Sequence, residues 1–186
     1  RNGEGRGFGL SIDHDNYSDD YIRQILSEVK TVAVVGASAN NVRPSYFVVK
    51  YLLSKGFDVI PVNPGHAGRE IAGVMTAADL QSIERPIDMV DIFRNSQAAA
   101  GVVDEALRLD PLPKVIWMQL SVRNEEAAAK AEAAGVKVVM NRCPKIEYAR
   151  LCGEIGWAGV RSGVISSKKP SMQSGFQRFG IVVRKD

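Results

Sequence analysis

Residues 31–45 read Thr-Val-Ala-Val-Val-Gly-Ala-Ser-Ala-Asn-Asn-Val-Arg-Pro-Ser, and this stretch determines how the rest of the chain is interpreted. Its first five residues are small or β-branched, a run typical of a strand buried on both faces of a parallel sheet. Gly36 and small polar residues follow, and Pro44-Ser45 can begin a helix. Backbone N–H groups, polar side chains and Arg43 would then meet at a helix N-terminus, an arrangement that binds phosphate.

Strand and helix patterns alternate from this stretch to about residue 141. The predicted strands are 31–36, 57–62, 87–93, 114–118 and 136–140. The predicted helices are 18–29, 44–55, 96–109, 124–134 and 145–151. Residues 66–86 lack a clear period, and we expect an irregular crossover with a short helical stretch around 77–83. The pattern predicts an α/β fold, a single Rossmann-like domain with a doubly wound parallel sheet of five strands. Right-handed crossovers favour the strand order 3-2-1-4-5, with strands numbered along the chain.

The chain of 186 residues has the length of one domain with flanking segments. We expect residues 1–17, which are rich in glycine, to form a flexible lead-in. Residues 18–152 form the predicted domain, and residues 153–186 a C-terminal tail. The apolar piece 179–183 of that tail could add a strand or contact a second subunit.

Composition excludes several classes of function. The net charge is +3, and the basic residues are scattered among acidic ones, so no footprint for nucleic acid is visible. No run approaches the roughly 20 apolar residues that a membrane helix needs. Two cysteines and two histidines are too few for a disulfide framework or a structural zinc site, and we expect no metal. A reducing, cytoplasmic setting is the expectation.

The ends of the predicted strands carry the functional signal. In a doubly wound sheet, ligands bind beyond the carboxyl ends of the strands, where the winding reverses. These ends are polar, whereas the strands leading into them are apolar. They are Gly36–Asn41, Asn63–Pro64, Phe93–Ser96, Gln119–Ser121 and Asn141–Cys143.

The loop after the first strand matches no nucleotide motif completely. It contains only the first glycine of G-x-G-x-x-G and lacks the Gly-Lys of a P-loop, so a tight turn without a ligand is an alternative. NAD enzymes of this fold place an acid at the end of the second strand, where this chain has Val62-Asn63. A phosphorylated ribose or a differently placed adenosine is therefore favoured. Cations that could face phosphates are Arg43, His66, Arg69 and Arg94.

No catalytic constellation is recognisable, and we assign no catalytic residue. The chain has neither a nucleophile elbow nor a metalloprotease helix. Asp88 and Asp91 lie three apart in one strand and should point to opposite faces, so they do not form a carboxylate pair. Cys143, ahead of a helix, is either a candidate nucleophile or a small residue that lines the pocket.

Six short motifs resemble those of the CoA-binding domain proteins, the Rossmann-like family related to the N-terminal domain of the succinyl-CoA synthetase alpha subunit. The resemblance covers about Ile22 to Leu151. The motifs occur in order: Val34-Val35-Gly36-Ala37-Ser38, Arg43-Pro44-Ser45, Val62-Asn63-Pro64, Val90-Asp91-Ile92-Phe93-Arg94, Trp117-Met118-Gln119 and Asn141-Arg142-Cys143-Pro144-Lys145.

The resemblance implies a coenzyme A site across these strand ends. Near the pyrophosphate it implies Gly36, Ala37, Ser38, Ala39, Asn40 and Arg43, with Pro44 and Ser45 opening the helix beside them. It implies Asn63 and Pro64 near the adenosine, with Phe93, Arg94 and Asn95 along the cleft. Gln119 and Asn141 would lie nearer the pantetheine arm. The chain departs from the family at Ser121, where many relatives have Gly, and at Asn141, where Asp is common.

We therefore expect a non-catalytic protein that binds CoA or an acyl-CoA. It could act as a carrier, as a sensor or as the partner of a CoA-using enzyme, and it could be a homo-oligomer. The synthetase's phosphohistidine belongs to a second domain, which has no counterpart in this sequence. Two alternatives remain: a small NAD(P)-dependent Rossmann enzyme, and an interaction module without a ligand.

Overall fold

The computed structural model describes residues 12–152. Most of the predicted lead-in and the whole predicted tail, with its apolar piece 179–183, lie outside the described residues. The helices are α1 (Asp19–Glu28), α2 (Pro44–Ser54), α3 (Ser96–Ala106), α4 (Glu125–Ala133) and α5 (Pro144–Leu151). The strands are β1 (Thr31–Val35), β2 (Asp58–Val62), β3 (Glu70–Ile71), β4 (Val74–Met75), β5 (Met89–Ile92), β6 (Val115–Met118) and β7 (Lys137–Val139).

The predicted fold class is confirmed. Five strands form one parallel sheet in the order β2-β1-β5-β6-β7, and β3 and β4 form a separate antiparallel pair. Helices α1, α2 and α5 pack on one face of the sheet through residues such as Ile25, Val48 and Leu151. Helices α3 and α4 pack on the other face through small residues such as Ala99 and Ala128. The sheet is thus the middle layer between two helical layers.

The β1–α2–β2 unit follows directly from its sequence. Pro44 occupies the first turn of α2, where its missing N–H is not needed. Val48 and Leu52 belong to the buried face of this helix. α2 ends at Ser54, and Gly56, two residues further on, adopts a φ of +84° and donates its N–H to the carbonyl of Leu53. The chain then returns as β2, parallel to β1.

The predicted strand order 3-2-1-4-5 is wrong. In the same numbering the five strands lie in the order 2-1-3-4-5, because β5 pairs with β1 rather than with β2. The outer edge of β2 is occupied by the crossover itself. Ala77 donates its N–H to the carbonyl of Pro61 (2.9 Å) and accepts the N–H of Asn63 (3.0 Å). With that edge taken, the third long strand can join the sheet only on the other side of β1.

The short helix expected around residues 77–83 is also absent from this part of the described chain. Ala77 forms a bridge with Val62, and the residues after it form turns. The Asp79 carboxylate accepts the backbone N–H of Ser82 (2.8 Å), and the Ser82 hydroxyl donates to the Asp79 carbonyl (2.9 Å). Such local side-chain bonds compete with the helical pattern and here prevail.

Among residues 12–152, no helix has the length and apolarity that crossing a membrane requires.

Candidate functional site

Gly36 lets the loops after β1 and β5 touch. Its φ is +87°, a backbone conformation that side chains disfavour. A Cβ at this position would lie 2.5 Å from the carbonyl oxygen of Phe93 and 3.1 Å from the Cδ of Arg94. Only glycine fits so close an approach. The winding of the sheet reverses between β1 and β5, so this contact lies at the point where such folds hold ligands.

The loop from Gly36 to α2 is organised by its own side chains. Ser45, which is buried, accepts the N–H of Ser38 on its hydroxyl (3.1 Å). The Ser38 hydroxyl accepts the N–H of Asn40 (3.1 Å), and the Asn40 amide oxygen accepts the N–H of Val42 (3.1 Å). These bonds fix the loop before any ligand arrives. The polar side chains predicted to face phosphate therefore serve largely to shape the backbone.

The N-terminus of α2 has no side-chain cap. Arg43 stands at the N-cap, makes no capping hydrogen bond, and is followed by no acidic residue in the first turn. By contrast, Ser18, Asn95 and Asn124 cap α1, α3 and α4 with their side chains. The positive end of the α2 dipole is thus open beside an exposed guanidinium. This combination suits an anion.

Asn63 ties the end of β2 to the first loop. Its amide nitrogen donates to the carbonyl of Ala37 (2.8 Å), and its amide oxygen accepts the N–H of Gly65 (2.8 Å). Pro64 begins a short 3-10 turn at this point. Asp58 lies at the opposite end of β2, paired with Arg85 (2.8 Å). The position where NAD enzymes of this fold hold the ribose therefore carries an amide, not a carboxylate.

The loop after β5 forms the other wall of the crevice. Phe93 donates its N–H to the carbonyl of Val35 (2.8 Å), and its partly buried ring packs on the core. Arg94 is exposed, and its stem lies over Gly36. The Asn95 amide oxygen accepts the N–H of Ala98 and so caps α3. Arg94 is thus a second exposed cation, on the loop that touches Gly36 at the start of the segment leading to Arg43.

The loops after β6 and β7 form the distal end of the site. Gln119 is buried, and its amide oxygen has no hydrogen-bond partner among the described residues. Ser121 and Asn141 adopt φ values of +68° and +55°. The two loops are joined because the Asn141 amide oxygen accepts the N–H of Ser121 (2.8 Å). From the interior, the Trp117 indole donates to the carbonyl of Arg142 (2.8 Å).

Replacing Ser121 with glycine is expected to raise the free energy of unfolding by about 0.5 to 1 kcal/mol. A left-handed φ costs a residue with a Cβ about 1–2 kcal/mol, and the greater entropy of unfolded glycine offsets part of that gain. Chemical denaturation measures the change. Asn141→Gly is the control, because asparagine tolerates a left-handed φ better than serine and the change also loses the bond to the Ser121 N–H, so we expect no gain. If Ser121→Gly were less stable than wild type, the prediction of backbone strain at Ser121 would be wrong.

The sequence model of the CoA binding domain family matches residues 30–149. The chain belongs to this family. It is 38% identical over 134 residues to the uncharacterized protein YneT of Bacillus subtilis (strain 168), and the alignment covers 72% of this chain and 96% of that protein.

Several solved structures are similar to this chain in sequence and fold. A protein from Thermus thermophilus is 36% identical with a TM-score of 0.68, and the match covers 72% of this chain and 98% of that one. A hypothetical protein from Pyrococcus horikoshii OT3 is 36% identical with a TM-score of 0.69, and the match covers 75% of this chain and 96% of that one.

The CoA binding domain of this chain brings the predicted site residues into two groups. One contains the loop from Gly36 to Ser45, the end of β2 and the end of β5. The other contains Gln119 and Asn141. Ser96 connects the two, because its hydroxyl donates to the carbonyl of Ser121 (3.5 Å) and accepts the N–H of Arg123 (3.0 Å).

Other singled-out residues lie beside the end of β2 or at the amino edge and middle of the sheet, and His66 donates its N–H to the Asn63 carbonyl (3.0 Å). His66 and Arg69 belong to the 3-10 turn and loop after β2, where Arg69 donates its N–H to the His66 carbonyl. Asp88 lies before β5 and accepts backbone N–H groups at the amino edge of the sheet, whereas Asp91 lies in the middle of β5, so the two form no pair. Within residues 12–152, no cluster of three or more His, Cys, Asp or Glu side chains could hold a metal ion.

The structure adds information on Lys145 of α5 and on Cys143, its N-cap. Lys145 places its ammonium 5.7 Å from the ring centroids of Phe47 and of Tyr51, which brings a further cation beside the first two turns of α2. The sequence signal that could have indicated this helix position is Pro144, which marks a helix start. Cys143 is buried as the N-cap of α5 and packs in the core cluster. That burial fits the pocket-lining interpretation of the thiol better than the nucleophilic one.

Proposed function

We propose that this protein binds coenzyme A, free or acylated, at the carboxyl edge of its parallel sheet. The observation that carries the proposal is the open N-terminus of α2, with the exposed guanidinium of Arg43 at its N-cap and the exposed Arg94 against Gly36 at the start of the same loop. A diphosphate there would receive backbone N–H groups, the helix dipole and charge-assisted hydrogen bonds. Membership of the CoA binding domain family supports CoA as the molecule that carries this diphosphate.

The remaining parts of the ligand follow from the direction of the crevice. The adenosine would lie over the end of β2, with Asn63 and Pro64 beneath it. Phe93 would pack along the cleft, and the pantetheine arm would run toward Gln119 and Asn141. The unpartnered amide oxygen of Gln119 is a hydrogen-bond acceptor for an arm that carries amide N–H groups.

A role as carrier, as sensor or as partner of a CoA-using enzyme is the function that we favour. The polar side chains at the crevice are engaged in shaping loops, as described for Ser45, Asn40 and Asn63. His14, the other histidine besides His66, lies beside α4 at its Glu132. The arrangement therefore supports holding a ligand rather than transferring groups on it.

An NAD-dependent enzyme is the second candidate, because the fold is Rossmann-like. The specific observation against it is Asn63, whose amide holds the first loop where a ribose-binding carboxylate would be needed. An interaction module without a ligand is the third candidate.

Calorimetric titration of the purified protein with CoA and with NAD(H) separates the three. We expect heat of binding with CoA, and a ligand at 100 times its dissociation constant should add about 2.7 kcal/mol to the free energy of unfolding. Binding of NAD(H) without binding of CoA would favour the enzyme. A melting temperature unchanged by either nucleotide would favour the interaction module.

A further inference from the structure

An N-terminal strap, which we define as residues 13–17, lies against the exposed edge of β7. The Tyr17 hydroxyl accepts the backbone N–H of Met140 (2.8 Å), just beyond the end of β7. Tyr21, in the first turn of α1, donates its hydroxyl proton to the carbonyl of Val138 (3.0 Å). The two rings stack with centroids 5.7 Å apart. Because β7 is an edge strand, these hydroxyls satisfy groups that a neighbouring strand would otherwise bond.

His14 extends this chain of contacts to α4. Its Nδ1 lies 2.6 Å from the Tyr17 hydroxyl, and its Nε2 lies 2.6 Å from a carboxylate oxygen of Glu132, a contact that lacks good hydrogen-bond geometry. Since the Tyr17 oxygen accepts from Met140, its proton is available to His14 Nδ1. Burial raises the pKa of Tyr17 and raises the pKa of Tyr21 to about 12, so both hydroxyls keep their protons.

The strap also contacts the loop that carries Asn141. The Arg142 guanidinium lies 5.2 Å from the centroid of the Tyr17 ring, and it donates to the Asp15 carbonyl (3.4 Å) and to the Asn141 carbonyl (2.8 Å). Arg123, in the loop after β6, pairs with the Asp15 carboxylate (2.7 Å). Asn141 is one of the residues with a left-handed φ. The strap therefore bonds both loops at the distal end of the site.

We propose that the strap is a positioning element for the distal end of the coenzyme A site, with Tyr17 as its principal residue. Its hydroxyl fixes the backbone at Met140, directly before Asn141, and Asn141 in turn holds Ser121 of the loop after β6. This inference rests on the proposed function. It adds that residues outside the matched 30–149 region set the affinity for the pantetheine arm.

The test compares Tyr17→Phe with Tyr21→Phe in the 186-residue chain. Each variant loses one hydroxyl on the same edge, but Tyr21 bonds within β7 and not at the loop. Each protein is titrated with CoA and with adenosine 3′,5′-bisphosphate, which has no pantetheine arm. We expect Tyr17→Phe to bind CoA about fivefold more weakly, with unchanged affinity for the bisphosphate. Tyr21→Phe should leave both affinities unchanged.

Amide hydrogen exchange supplies a readout that needs no ligand. Tyr17→Phe should increase exchange at the Met140 N–H and the Ser121 N–H, whereas Tyr21→Phe should leave the Ser121 N–H protected. Equal CoA affinity for wild type and Tyr17→Phe would overturn the inference, and so would a parallel loss for both ligands. Failure of the wild type to bind either ligand would instead overturn the proposed function.

Discussion

Replacing Arg43 with glutamate is expected to weaken CoA binding about 100-fold without lowering the free energy of unfolding. The substitution removes the guanidinium at the open end of α2 and puts a carboxylate next to the proposed diphosphate, so like charges repel. The fold should tolerate the change because the Arg43 side chain is exposed and makes no capping bond. An acidic side chain is also favourable at a helix N-terminus.

Lys50→Glu is the matched control for this prediction. Lys50 is exposed on the same helix, about two turns further along, and its substitution changes the charge by the same amount. Calorimetric titration at low salt should separate the two variants clearly, and added salt should narrow the difference. Equal CoA affinities for the Arg43 and Lys50 variants would place the diphosphate elsewhere on the molecule.

The local units of the fold could be predicted because their signals are local. The apolar run 31–35, Pro44 at a helix start and Gly56 at a helix end each have one favoured structure. The capping residues Ser18 and Asn124 likewise follow from chemistry within four residues. Such features do not depend on what the rest of the chain does.

The strand order could not be predicted because it depends on a contact between distant segments. Right-handed crossovers fix the hand of each connection but not the side of β1 on which β5 pairs. That side is determined by Ala77, which bonds the outer edge of β2 from a segment with no hydrophobic period. The correction matters for the site, since it places Phe93 and Arg94 directly beside Gly36.

The roles of the polar site residues could not be predicted from the sequence either. The pattern identifies Ser38, Asn40 and Asn63 as polar groups at strand ends. It does not show that their side chains are used to hold the loop. Nor does any period in residues 12–17 indicate that Tyr17 bonds the β7 edge, because that bond joins residues 123 positions apart.

Replacing Asp91 with asparagine is expected to stabilise the protein increasingly as the pH rises. Asp91 lies in the centre of the sheet, paired with Val34 of β1 and Trp117 of β6. It is fully buried, and neither carboxylate oxygen has a hydrogen-bond partner within residues 12–152. Desolvation therefore raises the pKa of this carboxyl well above its usual value.

The sign of the effect follows from proton binding. In the unfolded chain Asp91 loses its proton near its ordinary pKa of about 3.9, while the folded protein retains it. Between that pH and the raised folded pKa, the folded state binds the extra proton, so stability falls by about 1.4 kcal/mol for each pH unit of increase. Asparagine has nearly the same shape and does not titrate, so the variant lacks this loss.

Denaturant unfolding of wild type and Asp91→Asn from pH 4 to pH 8 measures the difference. We expect stabilities within about 1 kcal/mol of each other at pH 4 and an advantage for the variant that widens by about 1.4 kcal/mol per pH unit until the folded carboxyl ionises. Parallel curves would show that Asp91 is ionised or paired in the folded protein.

Asp88→Asn is the control, because it should give the opposite sign. Burial raises the pKa of the Asp88 carboxyl, but hydrogen bonds from the Thr31 and Lys30 N–H groups, together with the nearby Lys114 ammonium, outweigh this and lower it. Its stabilising contribution is present above the unfolded pKa and is lost as the pH falls through the folded pKa, so the variant should be less stable than wild type at neutral pH and similar to it in acid. Two carboxyls three residues apart thus have opposite effects, because one meets backbone N–H groups at the amino edge of the sheet and the other meets only the apolar core beneath the site.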